Sequence, residues 1–201
     1  MMVVTPFFTF PDINWWSAVL KADVVILDAG EHFEKMTFRN RYRVGGANNS
    51  ILLSVPLVNG RNQHTQMKDV QIYNSEQWQV QHWRTLTSVY RRSPYFEHYE
   101  PTLKPLFETR YDLLIDFNRA GVAWAKQQLG IRFEMKETTV FQKDYPPEVT
   151  DLRFLKPLKP QAGTFPKYYQ VFEDRIGFQP NLSILDLLFS EGPGAVGLLK
   201  R

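Results

Sequence analysis

The chain contains no cysteine, which excludes disulfides, thiolate metal sites and thiol nucleophiles together and fits a reducing compartment. Histidine is scarce, at 4 residues. None stands in HExxH spacing or in a close group, so no zinc site is expected. No run approaches the roughly 20 apolar residues that span a bilayer. The opening MMVVTPFFTFPD has no basic leader before its short apolar run, so neither a signal peptide nor membrane insertion is expected and the reading is a soluble, cytoplasmic protein. Standard nucleotide and hydrolase signatures are missing too. GPGAVG, the string of GxGxxG form, follows a helical pattern instead of opening a helix after a strand, and neither GxxxxGK[ST] nor GxSxG occurs. These patterns imply no particular cofactor, and none sets an oligomeric state. A net charge of +3 with no extended Lys/Arg stripe disfavours nucleic acid as a partner while still suiting small anions. Low complexity and internal repeats are absent.

Hydrophobic residues make up 43% of the 201 positions and aromatics 14%, enough apolar material for a real core but not the length for two full domains. The expectation is one compact α/β domain over residues 1–201, with an N-terminal strand-helix-strand unit, a mixed sheet and several packed helices. Val3 and Val4 begin a strand. Asp12 can cap a helix carrying Ile13, Trp16, Val19 and Leu20, and residues 24–27 read as a buried strand. That order resembles a parallel crossover unit, whose carboxyl edge favours ligands and would hold Asp28.

Alternation predicts a strand over 37–44, and Gly45-Gly46-Ala47-Asn48-Asn49 a turn into a second strand at 51–57. Val70 and Ile72 mark another short strand. Asn74 or Ser75 can cap a helix striped by Trp83, Leu86, Val89 and Tyr90. Spacing predicts the longest helix over 102–129, ended by Gly130, and then a strand over 138–141. Pro146, Pro147, Pro157, Pro160 and Pro166 mark a loop or arm that cannot lie inside a sheet. Near the end, Asn181 or Ser183 can cap a helix that Gly192-Pro193 stops. Asp186 falls within its apolar turn and must face water or find a partner, because an unpaired buried carboxylate is costly.

The stretch EHFEKMTFRNRYRV carries the densest chemistry. On a strand, Arg39, Arg41 and Arg43 would share one face and Phe38, Asn40, Tyr42 and Val44 the other. Such a row is either a wet face neutralised by acids such as Glu31 and Glu34, or a cradle for phosphate or carboxylate, which the guanidinium fork binds bidentately. Asp28, Glu31 and His32 lie just before it. Histidine titrates near neutrality, so His32 is a candidate general base with a carboxylate orienting it. Trp78 and His82 would meet on a helix with Tyr90, Arg91 and Arg92 further along. Packing explains those aromatics, and His64 in NGRNQHTQ reads as part of a connecting loop.

Several stretches taken in order resemble the WbqC-like protein family of bacteria: TPFFTFPDINWWSAVLKADVVILD, KMTFRNRYRV with its Asn40-Arg41 pair, ILLSVPLV, QWQVQHWRTLTSVYRRSPYF and YYQVFEDRIGFQPNLSILDLLFSEGPGAV. Members of that family often accompany surface-polysaccharide and O-antigen gene sets. The resemblance therefore implies a role in surface-glycan assembly, as an acyl or aminoacyl transferase to a sugar or as a non-catalytic module binding a phosphorylated or carboxylated ligand. Relatives commonly carry a second acid directly after the one matching Asp28. Here the text is DAGEHF, and Glu31 and His32 stand where those roles would fall. On this reading Asp28 and His32 move protons. Arg39, Asn40 and Arg41 position a small anionic or activated-sugar ligand, and Tyr90 with Arg91 forms a pocket wall.

Overall fold

The protein is described by a computed structural model over residues 1–58, 64–154 and 166–200. Its first elements follow from short β-branched runs flanking an amphipathic turn. β1 (Met2–Thr5) and β2 (Val24–Asp28) lie parallel, with Val3 opposite Val25 and Thr5 opposite Leu27. The connection carries α1 (Ile13–Val19), whose N-cap Asp12 accepts a hydrogen bond from the Trp15 N–H at 2.9 Å. The Trp15 indole in turn donates to the Thr5 hydroxyl at 2.7 Å, fixing the helix to the end of β1. The expected crossover unit is present, with Asp28 at the carboxyl edge.

Antiparallel pairing is carried by a separate hairpin, β3 (Arg41–Val44) against β4 (Ile51–Ser54), in register Arg41 to Ser54 and Val44 to Ile51. The glycine-asparagine turn predicts this pair. β3 is shorter than the alternation suggests, because the backbone of residues 37–40 is engaged elsewhere. The Phe38 carbonyl accepts from the Thr9 N–H, and the Arg39 carbonyl accepts from the Asn118 amide. Those groups are unavailable to a sheet partner.

The helical layer comprises α2 (Trp78–Tyr90), α3 (Phe96–Glu108) and α4 (Leu114–Gln128). The single helix expected over 102–129 is thus two. Between them Ile72 donates to the Asp112 carbonyl and Leu114 to the Val70 carbonyl, both at 2.9 Å, and Leu113 bridges Gln71. This bridged segment is what the Val70–Ile72 strand becomes. α2 starts at Trp78 without a side-chain cap, and Asn74 instead accepts from the Trp78 indole. α4 ends as predicted. Gly130 adopts φ +62° and donates to Gln127, while Ile131 donates to Lys126, a Schellman closure that favours glycine.

β5 (Glu134–Thr138) runs parallel to β2, and β6 (Val149–Asp151) parallel to β1, giving the order β5-β2-β1-β6. The expectation of a strand at 138–141 is corrected by this placement. β5 reads EMKET because an edge strand packs weakly, here chiefly through Met135, and charges blunt the free edge. Pro146 and Pro147 lie in the loop before β6, whereas Pro157 and Pro160 fall outside the described residues. α5 (Glu173–Ile176), α6 (Ile184–Glu191) and α7 (Ala195–Leu199) finish the fold. Ser183 is the cap of α6, and Asp186 is buried there between two tyrosines. No helix among the described residues is long and apolar enough to cross a membrane.

One apolar cluster joins sheet, hairpin and helices. Phe10 sits at its middle, packing on Tyr42, Phe107 and Phe117 at 5.2 to 5.8 Å between ring centres. His82 belongs to this core and stacks edge-on to Trp78 at 5.2 Å. Its Nδ1 lies 3.1 Å from the Tyr42 hydroxyl and its Nε2 3.2 Å from the Ser54 carbonyl. A neutral ring donating to Ser54 and accepting from Tyr42 satisfies both contacts. Burial pulls the His82 pKa down to about 4, against an opposing pull from the Ser54 carbonyl.

A pH dependence follows. The folded state binds fewer protons than the unfolded chain between about 4 and 6.5, so the His82 contribution is whole above 6.5 and lost as pH falls toward 4. Asp12, pushed up to about 6 chiefly by burial, works the other way, its stability being lost as pH rises from 3.8 to 6. Comparing parent with His82→Gln by urea unfolding isolates the first effect. The stability gap between the two should shift by on the order of 3 kcal/mol between pH 7 and pH 4, in favour of the variant at low pH. A gap that stays constant with pH would show that His82 titrates normally.

Candidate functional site

The carboxyl ends of β2, β5 and β6 converge on Asp28, which is 0% exposed. Its Oδ1 accepts from the Gly30 and Glu31 N–H groups, each at 3.1 Å, and from the Thr138 hydroxyl at 2.8 Å. Its Oδ2 accepts from Arg153 Nη1 at 3.0 Å. Sequence dictates the first two contacts, since an aspartate readily bonds backbone amides two and three residues on. Gly30 has no alternative: a Cβ there would run into the backbone of Val140 and Phe141.

Arg153 is as fully engaged as its partner. Nε and Nη2 grip Asp151, Nη1 reaches Asp28 and the Gln142 carbonyl, and Nη2 reaches the Lys143 carbonyl. All five guanidinium donors therefore have acceptors. Phe141 and Tyr145 lie 5.4 and 5.0 Å from its centre. The residue clamps the loop after β5 against the ends of β2 and β6.

Glu31 follows in a loop pinned to residues 65–68: Met67 donates to the Glu31 carbonyl, Phe33 to Thr65, and Lys68 to Ala29. Its carboxylate, 4% exposed, meets Arg39 in a bidentate pair with both contacts at 2.7 Å. Burial raises the Glu31 pKa, and the neighbouring Asp28 charge adds to the rise, while Arg39 opposes it. Nη1 of Arg39 makes no hydrogen bond and lies 3.6 Å from Glu34. Asn118 holds this arrangement in place. Its amide donates to the Phe7 and Arg39 carbonyls, and its carbonyl accepts from Thr9 at 2.6 Å.

In front of these residues opens a cleft of about 550 Å³, lined among others by Glu31, His32, Arg39, Phe141, Lys143 and Phe154. His32 is exposed within it. Phe154 is 77% exposed, and Phe141 is exposed as well. A concavity of this size at the carboxyl end of a parallel sheet is where ligands bind in open α/β folds.

The sequence-predicted residues divide in two. Asp28, His32 and Arg39 come together at the cleft, joined by Glu31, although Asp28 stands behind its wall rather than in it. Asn40, Arg41, Tyr90 and Arg91 do not line it. Asn40 closes the hairpin by donating to the Val55 carbonyl at 2.9 Å. Arg41 is half-buried on β3. The expected row of three arginines is broken, since Arg39 precedes the strand and is closed onto Glu31. Tyr90 is buried, accepting from the Gly45 N–H at 2.7 Å and donating to Asp186 at 2.6 Å. Tyr168 donates to the other Asp186 oxygen at 2.6 Å, so hydroxyls supply the partner that residue requires. Arg91 opens onto a different groove. Sequence reasoning did not find Thr138, Asp151, Arg153, Asn118 or the exposed Phe141 and Phe154.

No group of acids and histidines among the described residues is placed to hold a metal ion. Neither the curated proteins nor the solved structures contain a match to the chain. The model of the WbqC-like protein family matches residues 8–152, a span that includes Asp28, Glu31, His32, Arg39 and Lys143 and stops just before Arg153. With that span covering more than half of the chain, including β2, β5, β6 and most of the cleft, the chain belongs to the WbqC-like protein family.

Proposed function

We propose that the protein is an enzyme of bacterial surface-polysaccharide assembly that transfers an acyl or aminoacyl group to a sugar bound in this cleft. The observation that carries the reading is the meeting of exposed Phe141 and Phe154 with Glu31 and His32 around one cavity. Flat aromatic faces cover the C–H faces of a sugar ring, and an exposed imidazole bonds its hydroxyls. The family's association with surface-glycan gene sets supplies the setting. The two guanidiniums at the cleft, Arg39 and Arg153, are already paired with carboxylates, which leaves Lys143 as its cation without an ion pair among the described residues and weighs against a site built for an anion alone. The alternative of a non-catalytic module for a phosphorylated or carboxylated ligand would need those guanidiniums free.

In the reaction, His32 takes the proton from the sugar hydroxyl as its oxygen attacks the carbonyl carbon of the activated donor. The new C–O bond forms, and the bond from that carbon to the leaving group breaks. The leaving group departs with the electron pair and receives the proton back from the imidazolium. Glu31 and Arg39 form the rigid, charged back of the site, and Asp28 with Arg153 fixes the loop carrying Phe141. The test is turnover with a panel of acyl donors and sugar acceptors. His32→Ala should lower the rate by about 10²- to 10⁴-fold while leaving the urea midpoint unchanged. Equal turnover would remove His32 from the chemistry, and sugar binding without any turnover would remove the enzyme.

A further inference from the structure

A second groove, of about 550 Å³, lies where the end of α2 meets the segment before α5. Thr87, Ser88, Arg91 and Arg92 form one side, and Tyr169 and Phe172 stand on the other. Its residues are not those of the cleft. Arg91 and Arg92 are exposed, and neither forms an ion pair or a side-chain hydrogen bond with any described residue. Two adjacent guanidiniums in one concavity repel each other unless an anion offsets them.

The α2 carboxyl end accounts for only part of that charge. A helix terminus carries roughly half a negative charge, against two full positive ones here, so the groove stays cationic. The Thr87 hydroxyl is buried in the wall and has no hydrogen-bond partner. Tyr169 is 54% exposed, while Val89 and Phe172 give the groove an apolar surface. A flat ring can therefore lie beside a bound oxyanion.

We infer that this groove binds a phosphate-bearing ligand with a flat ring, the chemistry of a nucleoside phosphate, through Arg91, Arg92 and Tyr169. The guanidiniums hold the phosphate and the tyrosine covers the ring. Calorimetric titration of the full chain with uridine diphosphate, inorganic pyrophosphate and uridine tests it. Uridine diphosphate should bind more tightly than pyrophosphate, and uridine should bind most weakly. Arg91→Ala/Arg92→Ala should weaken the diphosphate by about tenfold or more, as the loss of charge-assisted bonds implies. Tyr169→Ala should weaken uridine diphosphate toward the affinity of pyrophosphate and leave pyrophosphate unchanged. His32→Ala, which alters only the cleft, should bind as the parent does. Absence of binding by both phosphate probes at millimolar concentration, or unchanged binding by the double arginine variant, overturns the proposal. Loss of binding in His32→Ala would overturn it as well, by moving the ligand to the cleft.

Discussion

Asp28→Ala is expected to lower the unfolding free energy by roughly 3 to 5 kcal/mol, the range for breaking one side of a buried ion pair. The carboxylate has no exposed surface, and its loss removes an acceptor from the Gly30 and Glu31 amides and the Thr138 hydroxyl and one of the two acceptors of Arg153 Nη1. Arg153 keeps Asp151, which limits the damage at that end. Asparagine does not rescue the site. Its carbonyl can replace Oδ1, but its amide then points two donors at Arg153. Urea unfolding of both variants measures the effect, and a loss below about 1 kcal/mol, the scale of an ordinary exposed pair, would show that the junction is not held by this carboxylate.

Arg39→Met should produce a loss of similar size at neutral pH, again roughly 3 to 5 kcal/mol, because it leaves Glu31 buried without its counter-ion. Here pH decides the magnitude. Burial already raises the Glu31 pKa, and removing Arg39 removes the largest opposing effect, so the folded variant binds its proton more tightly still. A carboxyl raised in the folded state contributes stability that is full below the unfolded value and is lost as pH rises through the folded one. The deficit of Arg39→Met should therefore shrink toward pH 4.5 and grow toward pH 8. Combining it with Glu31→Leu should restore most of the lost stability, since apolar replacement of both partners is often neutral or better. A double variant as unstable as the sum of the singles would mean that Glu31 and Arg39 act independently.

Local chemistry was legible in the sequence and distant chemistry was not. Asp12 and Ser183 announce their helices because a cap bonds amides two or three residues away. Gly130 does so because its backbone angle closes α4 from within. The crossover unit was equally readable, since β1, α1 and β2 are consecutive and each carries its own apolar pattern. β5 escaped because an edge strand is free to be charged. The extent of β3 escaped because Asn118 and Thr9, remote in sequence, claim the backbone that would have lengthened it. At the site, the proximity of Glu31, His32 and Arg39 followed from neighbourhood alone. Arg153 could not be foreseen, as it reaches Asp28 across 125 residues. Nothing around it in sequence sets it apart from any other arginine of the chain.

The sheet order has a consequence for how the chain is made. β1 lies inside the sheet, yet the strand that covers its second edge is β6, with Met2 paired to Val149. During synthesis, at roughly 5 to 20 residues per second, the earliest strand waits beside β2 with one side bare for several seconds. For that interval the nascent polypeptide offers an open template of main-chain donors and acceptors, and nearby unfinished copies on the same messenger are the nearest strangers able to zip onto it.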